Sequence, residues 1–426
     1  MILQHKTWQD NFMTLETALI ESDEFRKQNW QSFLDKGFPN NSDEEWKYFN
    51  FEELFAQTIS PVYAENQIDS KQENSSQTFV LPECEENQIV LENGQIKSHK
   101  ISNDKIIIAS LDQAFSDYAD LKVKYLNQAS QQNIFTLQNN SLWEGGLFFY
   151  IPANTVLNQP IQISLLSNSP NCANYSRNLI IIEDNCQAEI FIYCSGSNSS
   201  VDELYLHNLI NQIIIGENSQ VKIFFVQNES KNAFQIAYTD IKLQNNSSLD
   251  FYNLSFGAKT SKHLIQSDFL GEGINHNLKG LYVLKNSQAC HNQVIFNHNK
   301  PNCSSNQLFK GILNDKSRAE FSGIIKVKEK ANGTAAKQLN KNLLLSPEAK
   351  VDTRPQLEIK ADDVKCSHGA TIGQLQSEEI FYLLSRGISK EKALEILTFG
   401  FAEEIIETIS IPSLKSFTEK LLTLNL

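Results

Sequence analysis

A short turn-and-strand phrase recurs through the second half of the 426-residue chain, and it restricts the fold more than any other feature. It reads NCQAEIF, NSQVKIF, NSSLDFY, NSQACHN, KSRAEFS and EAKVDTR, a small polar cluster followed by an alternating strand. With Ala188, Val221, Leu249, Ala289, Ala319 and Val351 as markers, the steps by subtraction are 33, 28, 40, 30 and 32 residues. Periods of about 20–50 residues belong to stacked repeats, whose units cannot bury an inner face alone and cover it with a neighbour. The same texture, in KIIIAS, GGLFFYIP, NLIIIED and LINQIIIG, extends over residues 86–374, where convincing helical patterns are nearly absent. The expectation is a mainly β protein with a long solenoid core. A pair of β-sandwiches is the alternative architecture.

Both flanks change period. Residues 1–63 carry helical spacing, as in Phe12, Leu15 and Leu19 and then Phe25, Trp30, Phe33 and Leu34, interrupted at Pro39-Asn40-Asn41. NSDEEWKYFNFEEL follows, with Asn41, Ser42 and Asp43 as cap formers and Trp46, Tyr48, Phe49 and Phe51 as an aromatic anchor. Residues 64–85, which include the polar run AENQIDSKQENSSQ, read as a linker. Residues 375–426 form a C-terminal helical domain. In SEEIFYLLSRG, Ser377 is the expected N-cap, Arg386 lies in the last turn and Gly387 is the C-cap; Pro412 opens a later helix. The stripes Ile380, Leu383, Leu384 and Ala393, Leu394, Ile396, Leu397 exceed what so small a unit buries alone. A partner-docking face and packing on the solenoid end are the two readings of that excess.

Charge and composition remove several function classes. A formal net charge of -13, with no Lys/Arg cluster, repels phosphate backbones and argues against a nucleic-acid partner. The N-terminus lacks a basic segment followed by an apolar run, and no uninterrupted apolar stretch reaches about 18 residues. The chain therefore reads as cytoplasmic, with no membrane association. Seven scattered cysteines, an odd number without a CxxC pair, suit reduced thiols that are mostly buried as small hydrophobes. No GxxxxGK[ST] motif occurs, so no nucleotide site of its own is expected, and GxSxG and HExxH are missing too.

Two groups of metal-ligating residue types stand out. Cys290, His291, His298 and Cys303 form the first, but Cys290 and His291 are neighbours on an expected strand and point to opposite faces. Buried or hydrogen-bonded side chains are the better reading there. The second lies in ADDVKCSHGATIGQL, Ala361 to Leu375. Cys366 and His368 are two apart and share a strand face, with Cβ atoms roughly 6–7 Å from one another at about 3.3 Å rise per residue. Ligation at about 2.0–2.3 Å needs their S and N to converge, which is easier with further ligands from another chain. A shared interfacial metal site and a plain strand end both fit this spacing. Asp362 and Asp363 read as turn or capping residues.

The C-terminal third tips that balance. HNKPNCSSNQLFKGIL, RAEFSGIIKV, KQLNKNLLLSPEAKVDTRPQLEI, ADDVKCSHGATIGQL and FYLLSRGI closely resemble the SufB/SufD family of iron-sulfur cluster assembly scaffolds, over about residues 298–388. EEWKYFNF resembles the family's acidic-Trp-aromatic segment. The SufD-type branch is favoured because Gly369, not glutamate, follows His368, and because Asn340 stands about where the SufB-type paralogue carries its cluster-building cysteine. Gln376-Ser377 departs from the acidic residue often found before the FYL helix.

The resemblance implies a right-handed parallel β-helix between N- and C-terminal α-helical domains. It implies a non-catalytic scaffold that pairs with a SufB-type paralogue through the solenoid end bearing CSHG and docks SufC, an ABC-type ATPase, on its C-terminal helices. Iron or a transient iron-sulfur cluster would be held at the shared interface, with His368 as the leading ligand and Cys366 as the second. Phe381, Leu384, Arg386, Gly387, Leu394, Leu397 and Phe401 would form the ATPase-docking region. A reduced flavin on the assembled complex and a homodimer of the isolated chain are both compatible with this reading. The rival class is a polysaccharide-binding or lyase-type β-helix, which would want an acidic cluster on one face and an export signal; neither is evident.

Overall fold

The structure is a computed structural model that describes residues 24–38, 43–55, 57, 59–61, 79–117, 133–196 and 204–426. The expected features at Phe12, Leu15, Leu19, Pro39-Asn40-Asn41 and Ser42, and the first part of the linker, lie outside these residues. Two ten-stranded sheets face each other as a β-solenoid of about eight coils. One sheet runs in space from Lys350–Ile359 at one end to Ile107–Ser110 at the other, and the second from Val364–Gly373 to Gln95–Lys100. From Leu147–Ile151 onward the chain alternates between the sheets, so each strand pairs in parallel with the strand two places on.

The turn phrase has a structural cause. Asn154, Asn185, Asn218 and Asn246 all adopt positive φ, between 55° and 62°, a conformation Asn tolerates better than other side-chain-bearing residues. Their amides form a ladder along the solenoid, with Asn185 Nδ2 donating to Asn154 Oδ1 at 3.1 Å, Asn218 to Asn185 at 3.2 Å and Asn246 to Asn218 at 3.3 Å. The markers are not all equivalent. Ala188, Val221 and Leu249 are register partners in one sheet, and Ala319 pairs with Val351 in the other, where Ala289 sits opposite Arg318. The 40-residue step is therefore no single coil: the partner of Leu249 is His276, and the step then crosses to the other sheet.

Most strands are buried on both faces, which explains why they read as nearly continuous apolar runs. Ile190, Ile192, Ile223, Phe225 and Phe251 point into the solenoid, whereas Phe191, Tyr193, Phe224, Tyr252 and Leu254 point outward and are covered by C-terminal helices. The outer face of the other sheet is covered by α1 (Glu24–Lys36), α2 (Phe51–Phe55), α3 (Leu111–Asp117) and α4 (Ile134–Leu142). Trp30, Phe33, Trp46, Phe49 and Phe135 join strand residues Tyr175, Leu179 and Phe234 in that cluster.

Helices α3 and α4 lie inside the stretch read as continuous strands. Every residue of α4 is buried, so its sequence shows no one-sided stripe. Its polar side chains meet strand backbone instead: Asn139 Nδ2 donates to the carbonyls of Ser176 and Asn208, each at 3.0 Å. Asn133 caps it by accepting from the Phe135 and Thr136 amides. Of the expected linker, residues 79–85 are described, and Leu81 and Cys84 are buried against the C-terminal helices.

The C-terminal helices are α5 (Ser377–Ser385), α6 (Lys390–Ile406) and α7 (Pro412–Asn425). Helix α5 starts one residue earlier than the expected Ser377 cap: Gln376 occupies the cap position, and Ser377 donates to Glu378. Gly387, at φ +82°, closes it as expected for a left-handed position. Segments 401–413 and the end of α7 are tied to four separate strands or their flanks. Ser410 donates to Glu189, Tyr252 to the Thr408 carbonyl at 2.7 Å, Lys310 to the Phe401 carbonyl at 2.7 Å, and Lys285 to the Leu424 carbonyl. Among the described residues no helix is long and apolar enough to cross a membrane.

Candidate functional site at the open solenoid end

Among the described residues the last coil has no neighbour. Among these residues strand Lys350–Ile359 pairs only with Arg318–Val327, and Val364–Gly373 only with Thr334–Leu344, so each presents an edge ten residues long with no described partner. Sequence alternation then decides what faces the mouth. Cys366 pairs with Ala336 and His368 with Gln338, both buried inside, so Cys366, His368, Ala370 and Ile372 continue the inner face. Cys366 is half-buried beside Ile325, Val327, Ala336 and Leu357. His368 is exposed, as are Ile372 at 50% and Ile359 at 39%. Burial pushes the Cys366 thiol up from its ordinary value, partly offset by a hydrogen bond from the Ala336 backbone. The thiol is thus protonated in the free chain, and a metal would have to displace that proton to gain it as a ligand.

Cys366 and His368 share a face, as their spacing predicts. Among the described residues no third His, Cys, Asp or Glu completes a metal group with them. Asn340 is fully buried one strand away, with Nδ2 donating to Tyr282 Oη at 3.1 Å and Oδ1 accepting from Asn342 at 2.7 Å. It is part of a polar plug behind the mouth and brings no thiol there.

The proposed docking residues divide into two groups. Helix α5 has no buried residue: Phe381 is 70% exposed, Leu384 is exposed, and Arg386 stacks over Tyr382 at 4.8 Å. Leu394 and Leu397 on α6 are half-buried, whereas Phe401 packs on the solenoid with the Lys310 ammonium 4.7 Å from its ring centre. Between α6 and α7 lies a groove of about 410 Å³, floored by Ile396, Phe399 and Ile406 and rimmed by Lys392, Glu395, Glu403, Glu407 and Glu419, with Glu395 paired to Lys392 and Glu407 to Lys415. An apolar floor with an acidic rim suits a partner element that offers an apolar anchor among basic residues.

The earlier group of four is dispersed. Cys290 points into the core, and His291 points out, its Nδ1 3.0 Å from Glu320, which also binds Arg354. His298 stacks on Phe269 at 4.1 Å with Nε2 bonded to Ser305, and Cys303 meets the Gly271 and Pro301 carbonyls. All seven cysteines are free, five of them buried. A different triad, Cys194, His207 and Glu229, is brought together inside the solenoid. Its members are 13 and 22 residues apart, so local spacing conceals it. Register reveals it, because Cys194 pairs with Gln227, two residues before Glu229.

The chain is similar in sequence to known proteins. Residues 165–401 match the family described as SUF system FeS cluster assembly, SufBD core domain, and residues 8–163 match the SufBD protein N-terminal region. An iron-sulfur cluster assembly SufBD family protein of Synechocystis is 33% identical over 391 residues, covering 88% of this chain and 85% of that protein. Iron-sulfur cluster assembly protein SufD of Escherichia coli is 28% identical over 398 residues, 91% and 89% of the two chains. A SufBD family protein of Staphylococcus aureus is 26% identical over 367 residues, 83% and 78%. A two-sheet solenoid matched along its length by both parts of one family places this chain in the SufBD family of iron-sulfur cluster assembly proteins.

Proposed function

We propose that the chain is the SufD-type scaffold subunit of a cytoplasmic SUF assembly complex, a partner-dependent platform with no catalytic step of its own. Its solenoid, wound right-handed and flanked by the helical units at 1–63 and 375–426, pairs through the open end with a SufB-type paralogue. Exposed helix α5 and the groove beside α6 dock a SufC-type ABC ATPase. Iron or the nascent cluster is the cargo, held between the two scaffolds by His368 and then Cys366, with the remaining ligands supplied by the paralogue.

The observation that carries this reading is the mouth itself, where two unpaired ten-residue edges, exposed Ile359 and Ile372, and an incomplete ligand pair coincide. Long bare edges invite pairing by another chain, and burying the exposed part of each isoleucine would contribute roughly 1 kcal/mol. Purification of the tagged chain from its native extract without crosslinking is the test. Co-elution of a paralogous scaffold and an ABC ATPase is the expected result; elution alone at low salt would overturn the reading and return the solenoid to polysaccharide binding.

A further inference from the structure

We propose that Cys194, His207 and Glu229 form a buried site for one resident divalent metal ion of the zinc or iron(II) class, separate from the mouth. Cys194 lies on strand Gln187–Gly196, six strands from Val364–Gly373, or about 29 Å at ~4.8 Å per strand. The proposal does not rest on the interface reading.

The donor set fits such an ion. One ligand atom from each of the three residues lies within 4.8 Å of the others, and all three residues are buried. Thiolate, carboxylate and neutral imidazole together balance a dipositive ion, so the loaded site is electrically neutral in an interior that penalises net charge. Mixed S, N and O donors suit zinc or iron(II) and disfavour magnesium or calcium, which prefer all-oxygen sets.

The surroundings already orient the ligands. Tyr205 donates to Glu229 Oε2 at 2.6 Å and Gln235 to Oε1 at 3.0 Å, fixing the carboxylate. The Ser176 hydroxyl donates its single proton to Asn174 Oδ1 at 3.0 Å, so its oxygen accepts from His207 Nε2 at 3.2 Å. That leaves the Nδ1 lone pair directed at Glu229 Oε1, 2.8 Å away. Two electron-rich atoms at that distance need a positive centre between them, either a proton or a metal ion. On loading, the ion replaces that proton, the Cys194 S–H bond breaks, and both protons leave to solvent while the sulfur electron pair binds the metal. A cavity of about 500 Å³ lined by Ser195, Gly196 and Glu229 lies beside the triad, and because the His207 and Glu229 side chains are fully buried, loading requires a local opening there.

The test uses the full-length chain carrying Cys366→Ser and His368→Ala, so that the mouth cannot contribute, stripped with chelator and titrated with cobalt(II). The expected result is one equivalent bound, with a thiolate-to-cobalt charge-transfer band that zinc abolishes and that Cys194→Ser removes while circular dichroism is unchanged. No such band, or a band that survives Cys194→Ser, would overturn the proposal. X-ray absorption of the zinc-loaded mouth variant needs no change in the triad. One sulfur neighbour at about 2.3 Å is expected, and a sulfur-free shell would overturn the assignment.

Discussion

The two ends of the solenoid answer the same problem in opposite ways. At the N-terminal end both sheets finish in antiparallel strands, Gln95–Lys100 against Gln88–Glu92 and Ile107–Ser110 against Leu147–Ile151, and helix α3 follows directly. Ile89, Leu91, Leu147 and Phe149 behind these strands are fully buried. At the C-terminal end the parallel ladder stops, and the inner face is left half open. A repeat protein ordinarily caps both ends to protect its edges. Here one end closes with short antiparallel strands of six and four residues, and the other stops on two parallel edges of ten residues each.

The sharpest test of that contrast is chemical. In the assembled complex, His368→Ala is expected to abolish cluster formation, read by the visible absorbance of the cluster, while urea unfolding of the isolated chain shifts by no more than about 0.5 kcal/mol, as for an exposed position. Normal cluster formation would remove His368 from the site. The capped end should behave in reverse. Leu91→Ala, inside the closed cap, is expected to lower unfolding free energy by about 2–5 kcal/mol; a loss below 1 kcal/mol would show that the cap is not part of the cooperative core.

Histidines inside the coils supply a second contrast. Burial holds His263 and His298 down at about 3 and His276 at about 4, so all three are neutral in the folded chain. The unfolded chain takes up these protons near pH 6.5, so their stability contribution is complete above that pH and is lost as pH falls from there toward 4. Each adds a slope of up to about 1.4 kcal/mol per pH unit, and His298→Gln should flatten the urea-derived stability profile over that window. An unchanged profile would mean that His298 is protonated in place.

Smaller effects should come from single contacts at the open surfaces. Ile372→Lys is expected to weaken scaffold pairing about tenfold, equivalent to ~1.4 kcal/mol, measured by titration calorimetry. Phe381→Ala should weaken ATPase docking by a few fold to tenfold, the range of one truncated interface anchor. Because Ile372 is half exposed and α5 buries none of its residues in the chain, neither change should move the melting temperature; unaltered affinities would relocate the two interfaces.

Much of this was legible from residue patterns, and the failures have identifiable causes. The NCQ, NSQ and NSS turns announced the coils because their corners take a left-handed residue, which Asn185, Asn218 and Asn246 supply. The Cys366–His368 pair was legible because strand alternation is strictly two-fold. Helix α4 was not, since burial on every side erases the amphipathic stripe that marks a helix, and its Asn and Gln side chains bond to strands far away in sequence. The Cys194 triad was hidden for a related reason: its proximity depends on coil length, which varies between successive turns. Marker spacing alone also concealed a crossing between sheets, in the step from Leu249 to Ala289.

The ties between the C-terminal helices and the sheet have a mechanical consequence. Glu189, Tyr252, Lys285 and Lys310 belong to successive parts of the solenoid, and each is fastened to the same helical strap. The strap is a splint: load on it is shared as shear across several coils at once instead of peeling one strand from its neighbour.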